Sequence, residues 1–165
     1  MSSLRGGWLL ACFVGMTIPA TTSVAASDSA VLGTYLVENG DAHIELGACG
    51  DRLCGSIVWL RRAMDEDGAT PLDIYNPEPA LRSRPILGLR ILEGLEPAAA
   101  PGRWVGGRIY DPESGKTYRC KLRFDGEDRV RLRGYVGVSL LGRTTEWTRV
   151  ASRSGPAATT VSSPE

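Results

Sequence analysis

Between Val31 and Val150 the chain alternates apolar and polar positions. Along 116–124, Tyr118, Cys120, Leu122 and Phe124 are separated by Arg119, Lys121 and Arg123, and along 129–136 Val130 and Leu132 alternate with Arg129, Arg131 and Arg133. A period of two belongs to a strand with one buried face. The remaining segments are short, β-branched or aromatic, and end at Gly, Pro, Asn or Asp, the composition of strands and turns. The pattern predicts strands near 31–38, 42–48, 53–60, 86–92, 103–110, 116–124, 129–136 and 143–150, with one short turn of helix at most within 77–84. Consecutive short strands at this spacing predict an all-β antiparallel sandwich or barrel.

Two hairpins can be tested for register, because pairing must bring like faces together. Turning 42–60 at Gly50-Asp51-Arg52-Leu53 sets Cys49 opposite Cys54, Leu46 opposite Ile57 and Ile44 opposite Trp59. That register satisfies the apolar face and the thiol pair together, and it predicts a Cys49–Cys54 disulfide on the outer face; two free, oxidisable thiols are the alternative. In the second hairpin, turned at Asp125-Gly126-Glu127, pairing Leu122 with Val130 and Cys120 with Leu132 sets Arg119, Lys121 and Arg123 opposite Arg133, Arg131 and Arg129. Six cations then share one face. Such a face must be solvated, lined by carboxylates, or occupied by an anion.

Composition narrows the class. The chain has 165 residues, 19 Lys+Arg against 19 Asp+Glu, and one His. Neutrality argues against a nucleic-acid binder. Charge is nonetheless divided, with ten acids and three bases over 28–80 but eight acids and fourteen bases over 81–150, so the halves are expected to neutralise each other on closure. Residues 1–26 have the form of a cleaved secretory leader: Arg5, an apolar run from Trp8 to Met16, and small residues up to Ala26. Leu9-Leu10-Ala11-Cys12 also allows a lipoprotein cleavage box. No other segment approaches transmembrane length. Residues 151–165, rich in Ser, Thr, Ala and Pro, read as a disordered tail. The expectation is one exported domain over 31–150, periplasmic or secreted, whose cysteines are Cys49, Cys54 and Cys120.

The run from Cys49 to Leu60 (CGDRLCGSIVWL), Asp73-Ile74-Tyr75-Asn76-Pro77-Glu78-Pro79, the run 81–89 (LRSRPILGL), the run 104–118 (WVGGRIYDPESGKTY), Arg133-Gly134-Tyr135-Val136-Gly137 and the run 145–150 (TEWTRV) resemble, in order, the DUF2147 family of exported bacterial proteins. The resemblance implies a small lipocalin-like eight-stranded β-barrel with one long loop, and it brings no catalytic residue with it. Gly33-Thr34-Tyr35 resembles the Gly-x-Trp element of the first strand of such barrels. A late arginine often covers that ring, and Arg149 is the candidate here, for about 0.5–2 kcal/mol.

Catalysis finds little support in the residues. His43, beside Glu45 on a polar strand face, has no Ser or Cys partner at useful spacing and reads as a surface histidine. No His/Cys metal cluster, phosphate loop or cofactor motif is present, and Asp65-Glu66-Asp67-Gly68 lacks the later ligands of a calcium loop. Loop 61–85 is long enough to be functional. Its Asp73, Asn76, Arg82 and Arg84 either build the loop or form a lid in which Arg82 or Arg84 grips a carboxylate or phosphate. The aromatics Trp59, Trp104, Tyr110 and Tyr118 are expected inside, lining a cavity or filling the barrel. The reading that follows is a non-enzymatic barrel that binds a small apolar or amphipathic ligand, through Trp59, Asn76, Arg82, Arg84, Trp104, Tyr110 and Tyr118. The alternative is an envelope module that contacts an anionic partner through its basic strip.

Overall fold

A computed structural model describes residues 29–64, 68–126 and 128–150. The leader, the tail and the acidic turn at 65–67 lie outside the described residues. Eight antiparallel strands, β1 (Gly33–Leu36), β2 (Ala42–Cys49), β3 (Arg52–Leu60), β4 (Arg90–Pro97), β5 (Arg103–Asp111), β6 (Lys116–Phe124), β7 (Arg129–Tyr135) and β8 (Gly142–Arg149), pair in sequence order and close into a barrel. A 3₁₀ turn at Pro79–Leu81 is the helical turn expected within 77–84. Only β4 departs far from its expected place. Ile86-Leu87-Gly88-Leu89 reads as strand but runs ahead of it as an irregular connection, in which the Gly88 N–H donates to Ile57 O and the Ile57 N–H to Leu89 O. The true strand contains Gly94 at φ 70°, which lets a bulge pass while Leu92 and Leu95 both stay buried.

Apart from Trp59 at the end of β3, the apolar faces fall where the alternation puts them, but the body of each hairpin pairs two residues away from the expected register. Ile44 lies opposite Ile57 and Leu46 opposite Gly55, because the first turn contains only Gly50-Asp51, with Gly50 at φ 69°. Leu122 lies opposite Leu132 and Phe124 opposite Val130. A two-residue shift leaves every side chain on its own face. It also makes the Cys49–Cys54 disulfide diagonal: Cys49 pairs with Arg52 and Cys54 with Gly47, and the two Cα atoms are 6.0 Å apart. A bridge across so few residues is worth about 2 kcal/mol. Reduction is therefore expected to lower the denaturant midpoint and add the mass of two hydrogens, while the barrel stays folded; intact-mass and unfolding measurements with and without reductant check this.

One end of the barrel is solid. Tyr35, Leu95, Trp104, Cys120, Leu122, Val130 and Trp147 belong to the buried core. Gly107 makes the packing possible, since a Cβ there would run into Leu95 and crowd Cys120 Sγ at 3.1 Å. Burial pushes the Cys120 thiol up to about 12, which keeps it protonated and inert. The end is latched by Arg149, whose guanidinium lies 4.8 Å from the Tyr35 ring centroid and 5.8 Å from that of Phe124. It donates to Leu32 O, Ala30 O and Tyr35 Oη and pairs with Asp128 at 3.0 Å. The arginine expected over the first-strand aromatic is thus in place, at a seam where β1 and β8 share only the Tyr35–Arg149 and Leu36–Thr148 pairs.

Candidate functional site

The opposite end is open. Inward positions that carry bulk at the closed end carry Gly134 and Thr145 here, and a cavity of about 750 Å³ results. Its wall includes Ile44, Ile57, Ile91, Ile109, Tyr118 and Leu132, and its rim is drawn from the β1–β2 connection, loop 61–89, the β5–β6 turn and the β7–β8 connection. That volume lies within the usual range for small-molecule sites, about 300–1,000 Å³. At the rim, the Arg61 Nε donates to Gly40 O at 3.1 Å and lies 3.6 Å from Asp41, which holds the β1–β2 connection. Arg62 and Arg143 also line the rim and have no ion-pair partner among the described residues.

Loop 61–89 is held to this rim by a buried carboxylate. Asp73, fully buried, accepts from Tyr110 Oη at 2.5 Å, from Asn76 Nδ2 at 2.8 Å and from Arg84, whose Nη2 lies at 2.8 Å and Nε at 2.9 Å. The backbone repeats the tie, since the Asp73 N–H donates to Arg84 O and Leu72 pairs with Pro85. Burial alone would raise the Asp73 carboxyl, but the hydrogen bonds from Tyr110, Asn76 and Arg84, with the Arg84 charge, outweigh it and hold the group below its ordinary value. The same burial, with the bond to Asp73, raises the Tyr110 phenol. A depressed carboxyl contributes stability that is fully present above its unfolded value near ~3.9 and is lost as pH falls through the lower folded value. The denaturant midpoint is therefore expected to decline as the medium is acidified through that range, and Asp73→Asn should flatten this part of the profile.

The residues expected to contact a ligand are dispersed. Tyr110 and Tyr118 line the cavity. Trp104 is buried in the closed end, opposite Leu122. Trp59 is outside: the register slips between His43 and Ile44, so the ring turns outward, 41% exposed, and stacks on His43 with centroids 4.4 Å apart. Asn76, Arg82 and Arg84 belong to the loop's own framework, where the Arg82 Nε donates to Asn76 O. The loop is thus built internally, and the cations at the mouth without an ion-pair partner among the described residues are Arg62 and Arg143. Arg62 lies just past the end of β3 and Arg143 is the second residue of β8, opposite Gly134, and neither belongs to a motif that would mark it in the sequence.

The outer basic strip exists, and its two halves differ. Toward the closed end Arg123, Arg129 and Arg131 are matched by Asp125 and Glu146 at 2.6–3.4 Å. Toward the mouth Arg119, Lys121 and Arg133 have no carboxylate partner among the described residues. Among the described residues no helix is long and apolar enough to cross a membrane, and no group of three or more His, Cys, Asp and Glu could hold a metal ion.

Similarity to known proteins agrees with this architecture. Protein HP1028 from Helicobacter pylori, described as belonging to the lipocalin family, has a solved structure that superposes with a TM-score of 0.63 at 22% identity, over 73% of this chain and 83% of that one. No curated protein matches the chain. The family model of an uncharacterized protein conserved in bacteria, DUF2147, matches residues 33–149, the span from β1 to the Arg149 latch, and the chain belongs to the DUF2147 family.

Proposed function

We propose that the protein is an exported carrier, periplasmic or secreted, that holds a small apolar or amphipathic molecule in the open half of its barrel. The observation that carries this reading is the cavity: about 750 Å³, walled by isoleucine, leucine and tyrosine and open at one end only, with Arg62 and Arg143 at its mouth. An apolar tail buried inside would gain about 0.8 kcal/mol per methylene. A carboxylate or phosphate head group would sit at the rim, where an arginine can meet it with two parallel hydrogen bonds. Asp73 has a structural part in this reading, since its oxygens accept from Tyr110, Asn76 and Arg84 and hold the loop at the rim. The disulfide suits an oxidising compartment.

Delipidated protein incubated with long-chain fatty acids, lysophospholipids and envelope lipid extracts, then examined by native mass spectrometry, tests the reading. A stoichiometric adduct that weakens in Arg62→Ala/Arg143→Ala supports it. Absence of any adduct across those ligands would overturn it.

A further inference from the structure

The β7–β8 connection, Val136–Leu141, is the most apolar exposed segment among the described residues. Val136, Val138, Leu140 and Leu141 are 68%, 62%, 85% and 76% exposed. The rim of the cavity reaches Val136 and Leu141, while Val138 and Leu140 stand clear of it. Arg133 ties the loop down. Its Nε donates to Ser139 O at 2.8 Å, its Nη2 to Leu140 O at 3.0 Å and its Nη1 to Thr144 Oγ1 at 2.9 Å. The guanidinium thus bonds two carbonyls of the loop and the start of β8, with Val138 and Leu140 turned to solvent.

Directly beneath the loop lies the half of the basic strip that no carboxylate neutralises. Arg119 is opposite Tyr135, the last residue before the loop, and Lys121 is opposite Arg133. A convex apolar tip above a collar of uncompensated cations is complementary to a surface that is apolar inside and anionic at its edge. A protein groove would meet the apolar tip, but it would give no reason for the cations to remain unpaired only on this half of the strip.

We infer that the Val136–Leu141 loop is a docking tip that inserts into the surface of an anionic phospholipid bilayer, with Arg119, Lys121 and Arg133 against the head groups. Docking this way turns the open end of the barrel toward the lipid. The inference goes beyond the carrier reading and does not depend on it, since the tip can bind a bilayer whether or not the cavity takes up a molecule.

Co-sedimentation with phosphatidylcholine vesicles, with and without phosphatidylglycerol, tests it. Binding is expected only when phosphatidylglycerol is present, and raised salt should weaken it. Val138→Glu/Leu140→Glu changes exposed side chains and should leave the thermal melt unchanged while reducing binding by about tenfold or more. Arg119→Glu/Lys121→Glu should reduce it comparably, by about tenfold. Absence of sedimentation with either vesicle would overturn the inference. So would binding that the loop variant leaves intact, which would mean charge alone is responsible, or concentration-dependent self-association that the loop variant abolishes without any vesicle binding. Native mass spectrometry of the loop variant with free fatty acids separates this from the carrier reading, because Val138 and Leu140, the residues changed, do not line the cavity.

Discussion

Asp73→Ala is expected to destabilise the protein by about 3 kcal/mol, the low end of what removing one partner from a buried charged cluster costs. The side chain is fully buried, and its loss strands Tyr110 Oη, Asn76 Nδ2 and the Arg84 guanidinium at once. The cost stays at the low end because Arg84 is about one-third exposed and can turn to water. Only the loop loses its anchor, so the barrel should persist while protease begins to cut within 68–89. Tyr110→Phe removes a single hydrogen bond to the same carboxylate and should cost about 1.5–3 kcal/mol at most. Chemical denaturation and limited proteolysis check both. An Asp73→Ala protein with an unchanged midpoint and an uncut loop would show that the turns and prolines alone hold the segment.

The second large effect is on binding. Gly134 faces the cavity, and a Cβ built there meets only ordinary contacts, Ile109 Cγ2 and Tyr118 Cβ at 3.8 Å. Gly134→Leu therefore adds volume to empty space rather than to a packed core, and stability should be kept. A bound apolar chain would be displaced by about three methylenes, roughly 2.4 kcal/mol at 0.8 each, or about fiftyfold in affinity. Fluorescence titration with a fatty-acid probe measures the loss. Equal affinity in the variant would place the ligand elsewhere and overturn the cavity reading.

Much of the fold is legible in the residues because a period of two declares which face a side chain takes. It does not declare the partner. Both hairpins satisfy their faces in registers two residues apart, and the choice was made by turn chemistry, with Gly50-Asp51 closing a two-residue turn where a four-residue loop fitted the pattern equally well. Trp59 departs from its expected face for a related reason: alternation carried from Ile57 puts it inside, and one irregular step near the end of β3 reverses it. The loop offered Asp73, Asn76, Arg82 and Arg84 as a cluster, which they are. Their common partner Tyr110 lies 37 residues from Asp73, and nothing local to the loop points to it. The β7–β8 tip has a sequence signal, Val136-Gly137-Val138-Ser139-Leu140-Leu141, that is easily absorbed into the flanking strands as more apolar strand.

The Arg149 latch also sets an order of events. The carbonyls it grips belong to Ala30 and Leu32, 119 and 117 residues earlier in the chain, and β1 waits for β8 to complete the ring. A nascent chain emerging from its N-terminus can form hairpin after hairpin, yet it has no means of shutting the cylinder until nearly the whole domain has been synthesised. Pairings of such long sequence separation are slow to form. The residue that locks the cylinder is therefore kept for the end, and the barrel stays open along its β1–β8 seam until Arg149 arrives.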